Sequence, residues 1–185
     1  NEKKGLSNPV VGRTIEDKNG NLWIGTEGGG LNYYNRRTRE FKWYRPQEGR
    51  NSISHNNVKA LYYDADKEII WIGTHLGGLN KLDIRSGHFT HYRMEGNNPQ
   101  SLPSDIIRDI TPYKDLLIIA TQNGVCLFNP ANGQCRQLFK DSKEGKSIKM
   151  VADVVFDSEG TLWIAATGEG VFSYRFDTRK LTNYR

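Results

Sequence analysis

The chain has 185 residues with 26 basic and 21 acidic side chains, a net charge of +5, 19 glycines and 11% aromatics; this allows one domain with a real core, in a composition suited to strands and tight turns. No stretch approaches the roughly 20 apolar residues of a membrane-spanning helix, and no basic run is dense enough for a nucleic-acid arm. The mild, mixed charge suits a solvated basic surface or attraction to an acidic ligand such as a sulfated or uronic-acid glycan.

The chain opens Asn1-Glu2-Lys3-Lys4, without an initiator Met or a signal-peptide apolar region. It is expected to be a piece of a longer protein whose targeting information lies elsewhere. Val11 to Glu16 is an apolar-rich strand ending at Asp17, and Lys18-Asn19-Gly20-Asn21 is a turn. Leu22-Trp23-Ile24 is a second strand. Glu27-Gly28-Gly29-Gly30 permits a sharp reversal, because glycine accepts positive φ. Leu31 to Tyr34, the polar turn Asn35 to Thr38 and Phe41 to Tyr44 complete four short strands, with no helical period in any window.

The same order then recurs three times. Ile70-Trp71-Ile72-Gly73-Thr74 precedes Gly77-Gly78-Leu79-Asn80, and Leu117-Ile118-Ile119-Ala120-Thr121 precedes Asn123-Gly124-Val125. Leu162-Trp163-Ile164-Ala165-Ala166 precedes Gly168-Glu169-Gly170-Val171. The anchors Trp23, Trp71, Ile118 and Trp163 stand 48, 47 and 45 residues apart, and Phe41, Phe89, Cys135 and Leu181 each follow a Leu or Val anchor by ten. Four strands per repeat at this period is blade arithmetic for a β-propeller. The expected fold is therefore all-β, four consecutive four-stranded blades at about 10–45, 57–93, 106–140 and 151–185, joined by polar inter-blade loops. A WD-repeat reading is weaker, since no repeat carries a Gly-His start or a Trp-Asp end.

Asp17-Lys18-Asn19-Gly20-Asn21-Leu22-Trp23-Ile24-Gly25-Thr26 followed by Gly29-Gly30-Leu31-Asn32 resembles the two-component regulator propeller repeat. The second repeat matches it from Trp71 to Asn80; the third departs, with Ile118 for Trp, Ala120 for Gly and a glycine turn one residue shorter. In the fourth, Ala165 and Ala166 replace the Gly-Thr pair. The resemblance implies a larger seven-bladed ring in the periplasmic sensor region of a Bacteroides-type hybrid two-component protein. It implies an oligosaccharide ligand, acidic ones included, and the remaining blades and downstream domains of the parent chain as partners. With seven blades, four sweep roughly 206°, and the two end blades each bare an apolar face. The fragment is expected to self-associate to cover them.

No motif assigns chemistry. The Asp17–Gly20 and Asp157–Gly160 turns offer one Asp each, too few oxygens for a calcium loop, and fit hairpin turns instead. No helix follows the glycines at 28–30, so they do not cradle phosphate. The repeating tryptophans suit packing between blades better than sugar stacking, and Trp43, outside the repeat, is the expected exposed aromatic. His55, His75, His88 and His91 have no metalloprotease spacing, and no serine stands in a nucleophile elbow. Neither a cofactor nor a metal is expected. The preferred function is a sensor segment that binds an oligosaccharide or docks a partner; the alternatives are a glycan-active or lyase-type enzyme and a pure interaction scaffold.

Propeller ligands cluster where the turns between second and third strands meet the loops entering first strands. These loops carry Glu27, His75, Gln122 and Glu169, and Asn8, His55, Asn56, Ser104 and Asp105, which are the ligand-binding candidates. Cys126 and Cys135 match no zinc spacing. A hairpin symmetric about the Pro130-Ala131 bond would set them directly opposite, within disulfide reach. The Phe41-equivalent slot of Cys135 equally suits a buried free thiol.

Overall fold

A computed structural model describes residues 5–142, 146 and 148–185 and contains sixteen strands, with no α-helix among the described residues. The chain forms two compact halves, Asn1–Tyr92 and Arg93–Arg185. The first half holds blade 1, made of β1 (Val11–Glu16), β2 (Leu22–Thr26), β3 (Leu31–Asn35) and β4 (Glu40–Tyr44). It also holds blade 2, made of β5 (Val58–Asp64), β6 (Ile69–Thr74), β7 (Leu79–Asp83) and β8 (Phe89–Tyr92). The second half holds blade 3, made of β9 (Ile107–Tyr113), β10 (Leu116–Thr121), β11 (Gly124–Phe128) and β12 (Cys135–Gln137). Blade 4 follows with β13 (Val151–Phe156), β14 (Leu162–Ala166), β15 (Gly170–Arg175) and β16 (Lys180–Tyr184). Each blade is an antiparallel meander of four sequence-consecutive strands, the fold expected from the repeat.

The first hairpins of blades 1 and 4 are pinned by an Asp. One Asp17 carboxylate oxygen accepts the Asn19 and Asn21 amides at 2.9 and 3.0 Å, and the other accepts the Trp23 indole N–H at 3.2 Å. Asp157 does the same with Glu159, Thr161 and, at 2.8 Å, Trp163. Both carboxylates are occupied by the turn, so these are hairpin staples rather than calcium loops. The Trp163 and Thr161 hydrogen bonds hold the Asp157 carboxyl below the usual carboxylate range.

Because side chains alternate across a strand, each blade has two faces. The Trp face of blade 1 packs on blade 2: Trp23 and Leu31 join Val58, Leu61, Ile70, Ile72, Leu82 and Phe89 in one core. Trp23 lies against Tyr33 at 4.7 Å, and Tyr44 crosses to Phe89 at 5.9 Å. A Cβ on Gly25 would stand 2.6 Å from Val58 Cγ1, so close approach of the next blade explains the Gly after Trp-Ile. In the second half, Ile118, Ala120 and Val125 pack on Val154, Leu162, Ile164 and Phe172 in the same way. Among the described residues the Trp face of blade 4 has no such cover. Val155 is 56% exposed, Tyr184 50% and Val171 39%, and Trp163 is only part-buried.

On the opposite faces, strand three carries a polar clamp. Asn80 Oδ1 accepts the Ser54 amide at 2.8 Å while its Nδ2 donates to Ser54 Oγ at 2.8 Å, and Asn32 clamps Ser7 identically. These asparagines are fully buried, and the paired contacts satisfy both ends of the amide. Blade 3 puts Cys126 in this slot and bonds it to Cys135, with Cα atoms 6.0 Å apart.

The disulfide corrects the expected register. Cys126 pairs with Gln137 and Cys135 with Phe128, so the cysteines are diagonal on one face, not directly opposite. The reason is the turn, which closes between Asn129 and Gln134, with the Asn129 amide donating to the Gln134 carbonyl and Gly133 at φ 74°. The centre therefore lies beyond the Pro130-Ala131 bond.

Trp71, 1% exposed, should lose about 3–5 kcal/mol on replacement by Ala, whereas Trp163→Ala on the uncovered face should lose only about 1 kcal/mol; urea denaturation of both variants measures the difference. Without reductant the chain should bind no alkylating reagent, and the Cys126→Ser/Cys135→Ser double variant should lose about 2–3 kcal/mol, from a loop spanning nine residues. Asp157, with a depressed folded pKa, contributes stability at pH above the ordinary carboxylate range and loses it as pH falls through the depressed value. Trp163→Phe removes its strongest donor, so the Asp157 titration followed by NMR should move upward.

Candidate functional site

One backbone contact defines equivalent positions in all four blades. Glu27, His75, Gln122 and Thr167 each follow the last residue of a second strand. Their amides donate to the carbonyls of Val10, Asn57, Ile106 and Met150, the residues that immediately precede the first strands. Glu27, His75 and Gln122 are thus equivalent, as the sequence suggests. Glu169 is not their fourth member, because Thr167 makes this contact and the Glu169 amide turns back to the Ala166 carbonyl. The repeat register gives the same answer, since Glu27, His75, Gln122 and Thr167 each stand four residues after the anchors Trp23, Trp71, Ile118 and Trp163.

The loops entering the first strands are also regular. Asn8 Oδ1, His55 Nδ1 and Ser104 Oγ each accept the amide two residues on, at 2.8, 3.1 and 3.1 Å. His55 Nδ1 is therefore an acceptor, which places its ring proton on Nε2. Each first strand then carries one extra residue immediately after its opening pair, a β-bulge recurring in β1, β5, β9 and β13. A bulge re-aims a side chain. In β5 the bulged residue is Lys59, whose ammonium pairs with Glu27.

In the first half these features bring four candidates together. The Lys59 ammonium hydrogen-bonds Glu27, and this contact, followed by its charge and that of nearby His75, holds the Glu27 carboxyl below its ordinary value. The His55 and His75 rings stand edge-on, 6.5 Å apart. His75 Nδ1 is buried and has no hydrogen-bond partner among the described residues. The Asn56 carbonyl accepts the Gly30 amide at 2.7 Å, fixing the loop against the turn. Between His75 and Gly77, Leu76 is 55% exposed and adopts φ 75°, where blade 1 has Gly28 at φ 94°. A bulky side chain held there is strained. The result is a polar rim with one carboxylate, one ammonium, two imidazoles and a projecting apolar side chain.

In the second half the candidates are more dispersed in role. Gln122 is exposed. Asp105 accepts the Met94 amide at 2.7 Å and faces Arg93 at 3.7 Å, so it holds its own loop. Glu169 pairs with Arg185. Trp43, expected exposed, is half-buried: its indole N–H donates to the Gly5 carbonyl at 3.0 Å, and the Arg45 guanidinium lies 4.7 Å from its ring. His91 donates from Nε2 to the Ser52 carbonyl at 2.8 Å. No group of three His, Cys, Asp or Glu among the described residues is placed to hold a metal. Thr167 was legible from its spacing to Trp163, but Lys59 was invisible to sequence reasoning. The spacing from Val58 to Ala60 reveals a bulge only once the pairing with Thr74 and Gly73 is known.

Lys59→Gln should raise the Glu27 titration toward the ordinary glutamate range, read by NMR of the side-chain carboxyl. With a depressed folded pKa, the pair stabilises above the unfolded value, and its contribution fades as pH falls through the folded one.

The two-component regulator propeller model matches residues 5–28 and 52–75, each starting two residues before a clamp serine, Ser7 or Ser54, and ending in the turn after the second strand. No curated protein matches the chain. Among solved structures, the chain is similar to the extracellular domain assigned to hybrid two-component system BT3049 of B. thetaiotaomicron, at 25% identity and TM-score 0.87, over 98% of this chain and 25% of that one. It is also similar to two structures of the BT4673 extracellular domain from the same organism. One has 25% identity and TM-score 0.74 over 97% of this chain and 24% of that one, and the other 24% identity and TM-score 0.76 over 97% and 25%. The chain spans about a quarter of the length of these structures. With its four four-stranded meanders the chain is a stretch of β-propeller, and two of its segments, 5–28 and 52–75, match the two-component regulator propeller repeat.

Proposed function

We propose that this chain is part of the periplasmic sensor region of a hybrid two-component signalling protein, and that its loop rim binds an oligosaccharide. The observation that carries this reading is the match of 98% of the chain, at TM-score 0.87, to an extracellular domain assigned to such a system. The Cys126–Cys135 disulfide supports it, since such bonds persist in oxidising compartments. In each half a constant backbone frame presents side chains that differ from blade to blade, Glu27 and His75 in the first and Gln122 and Thr167 in the second. A rigid scaffold with variable polar tips is what ligand recognition uses. The uncovered Trp face of blade 4, with Val155, Val171 and Tyr184, fits a further blade of the parent chain, as Trp23 fits blade 2. In its absence a second copy covers it, and the isolated chain self-associates.

Glycan-array binding by the intact sensor tests the reading. Glu27→Ala and His75→Ala should weaken oligosaccharide binding about tenfold each while lowering the denaturation midpoint only slightly. Binding untouched by changes at Glu27 and His75 would move the site off the loops of the first half. Sedimentation of the isolated chain should show self-association that a Val155→Glu change abolishes.

A further inference from the structure

Blade 3 lacks an aromatic pair that the other three blades share. Trp23 lies 5.7 Å from Tyr44, Trp71 6.0 Å from Tyr92 and Trp163 5.5 Å from Tyr184, ring centroid to ring centroid. In the repeat register blade 3 places Ile118 and Leu138 at these positions. Leu127, paired with Ile118, stands where blade 1 has Tyr33 paired with Trp23. The turn between β9 and β10 is Lys114-Asp115 alone, where blade 1 has the longer turn from Asp17 to Asn21 that holds the Trp23 indole. Smaller side chains and a shorter turn leave space beside Leu127. A cavity of about 280 Å³ opens there, and its walls include Leu116, Leu127, Asn129, Gln134, Arg136 and Gln100. Its volume lies at the lower end of small-molecule sites, of order 300–1,000 Å³.

This cavity has an apolar floor and one charge. Leu116 and Leu127 lie on one face of the sheet, because Leu127 pairs with Ile118 and strand side chains alternate. Arg136 pairs with Leu127 across β11 and β12, so its side chain rises from the same face. No carboxylate lines the cavity, and Arg136 forms no ion pair among the described residues. The amides beside it are already engaged with one another. Gln134 Nε2 donates to Gln100 Oε1 at 3.0 Å, and Asn129 Oδ1 accepts the Ala131 amide at 2.9 Å. An aliphatic floor under a single guanidinium favours an apolar body with one carboxylate, whose two oxygens match the planar fork of Arg. A flat ring suits the space that Trp and Tyr side chains occupy in blade 1.

We propose that this cavity binds a small aromatic monocarboxylic acid, with its ring on Leu116 and Leu127 and its carboxylate on Arg136. The inference draws on the second half alone and stands apart from the oligosaccharide reading. The test is calorimetric titration of the chain with phenylacetate, with acetate as the carboxylate lacking a ring and benzyl alcohol as the ring lacking a carboxylate. Phenylacetate should bind at least about tenfold more tightly than either. Arg136→Gln, a change at an exposed side chain, should weaken phenylacetate about tenfold with an unchanged denaturation midpoint. Arg175→Gln, whose charge partner is Asp177, should leave binding intact. Leu127→Tyr, which introduces the side chain of blade 1, should abolish binding by filling the cavity. Methyl NMR of the unaltered chain gives a reading that needs no variant: phenylacetate should shift the Leu116 and Leu127 signals. Phenylacetate that binds no more tightly than acetate or the alcohol, or equally well to the Arg136→Gln chain, overturns the proposal. Shifts confined to other leucines overturn it too.

Discussion

A four-stranded sheet with two apolar faces cannot stand in water by itself, and the rest of this structure depends on covering those faces. Trp23 and Leu31 reach across to Val58, Ile70 and Ile72, and the approach is close enough that Gly25 has no room for a Cβ. That single packing contact explains the spacing of the tryptophans and the glycine two residues on. It also explains why aromatic rings, Tyr44 on Phe89 for instance, mark the ends of the outer strands. Where the contact has no partner, on the last blade, the same residue types lie in solvent.

The opposite faces show one structural requirement met by different chemistry. Blades 1 and 2 fasten the incoming loop to strand three with a buried Asn whose amide is satisfied at both ends by a Ser. A half-satisfied amide there would cost more than an apolar side chain, so Ser and Asn must change together. Blade 3 has changed both, placing a cystine across β11 and β12, and blade 4 fills the slot with buried Phe172. The cystine ties strand to strand rather than loop to strand, and it requires an oxidising environment that the Asn–Ser clamp does not.

The rim separates stability from recognition. Its shape is set by backbone: an amide at the start of each turn donating to the carbonyl before each first strand, and a bulge just beyond. Side chains at those positions contribute little to the fold, so Glu27, His75, Gln122 and Thr167 can differ without disturbing it. Lys59 shows how the frame also creates contacts, since the bulge turns a strand residue toward a carboxylate on the neighbouring blade.

Much of this was legible in the sequence. The repeat period, the strand count, the hairpin role of Asp17 and the packing role of the tryptophans follow from spacing and turn chemistry, which are local properties of the chain. The equivalence of Glu27, His75 and Gln122 followed from the same register. What the sequence left open depended on contacts between distant residues. The fourth turn position is an exception: Thr167 stands four residues after Trp163, as Glu27 does after Trp23, so the register pointed to it rather than to Glu169. The cysteines came together on a diagonal because the Asn129–Gln134 closure shifted the hairpin centre. Trp43, outside the repeat, was half-buried by the leading segment around Gly5, a contact 38 residues away in the chain. Periodicity fixes which face a residue occupies, but only tertiary packing decides what comes to lie against that face.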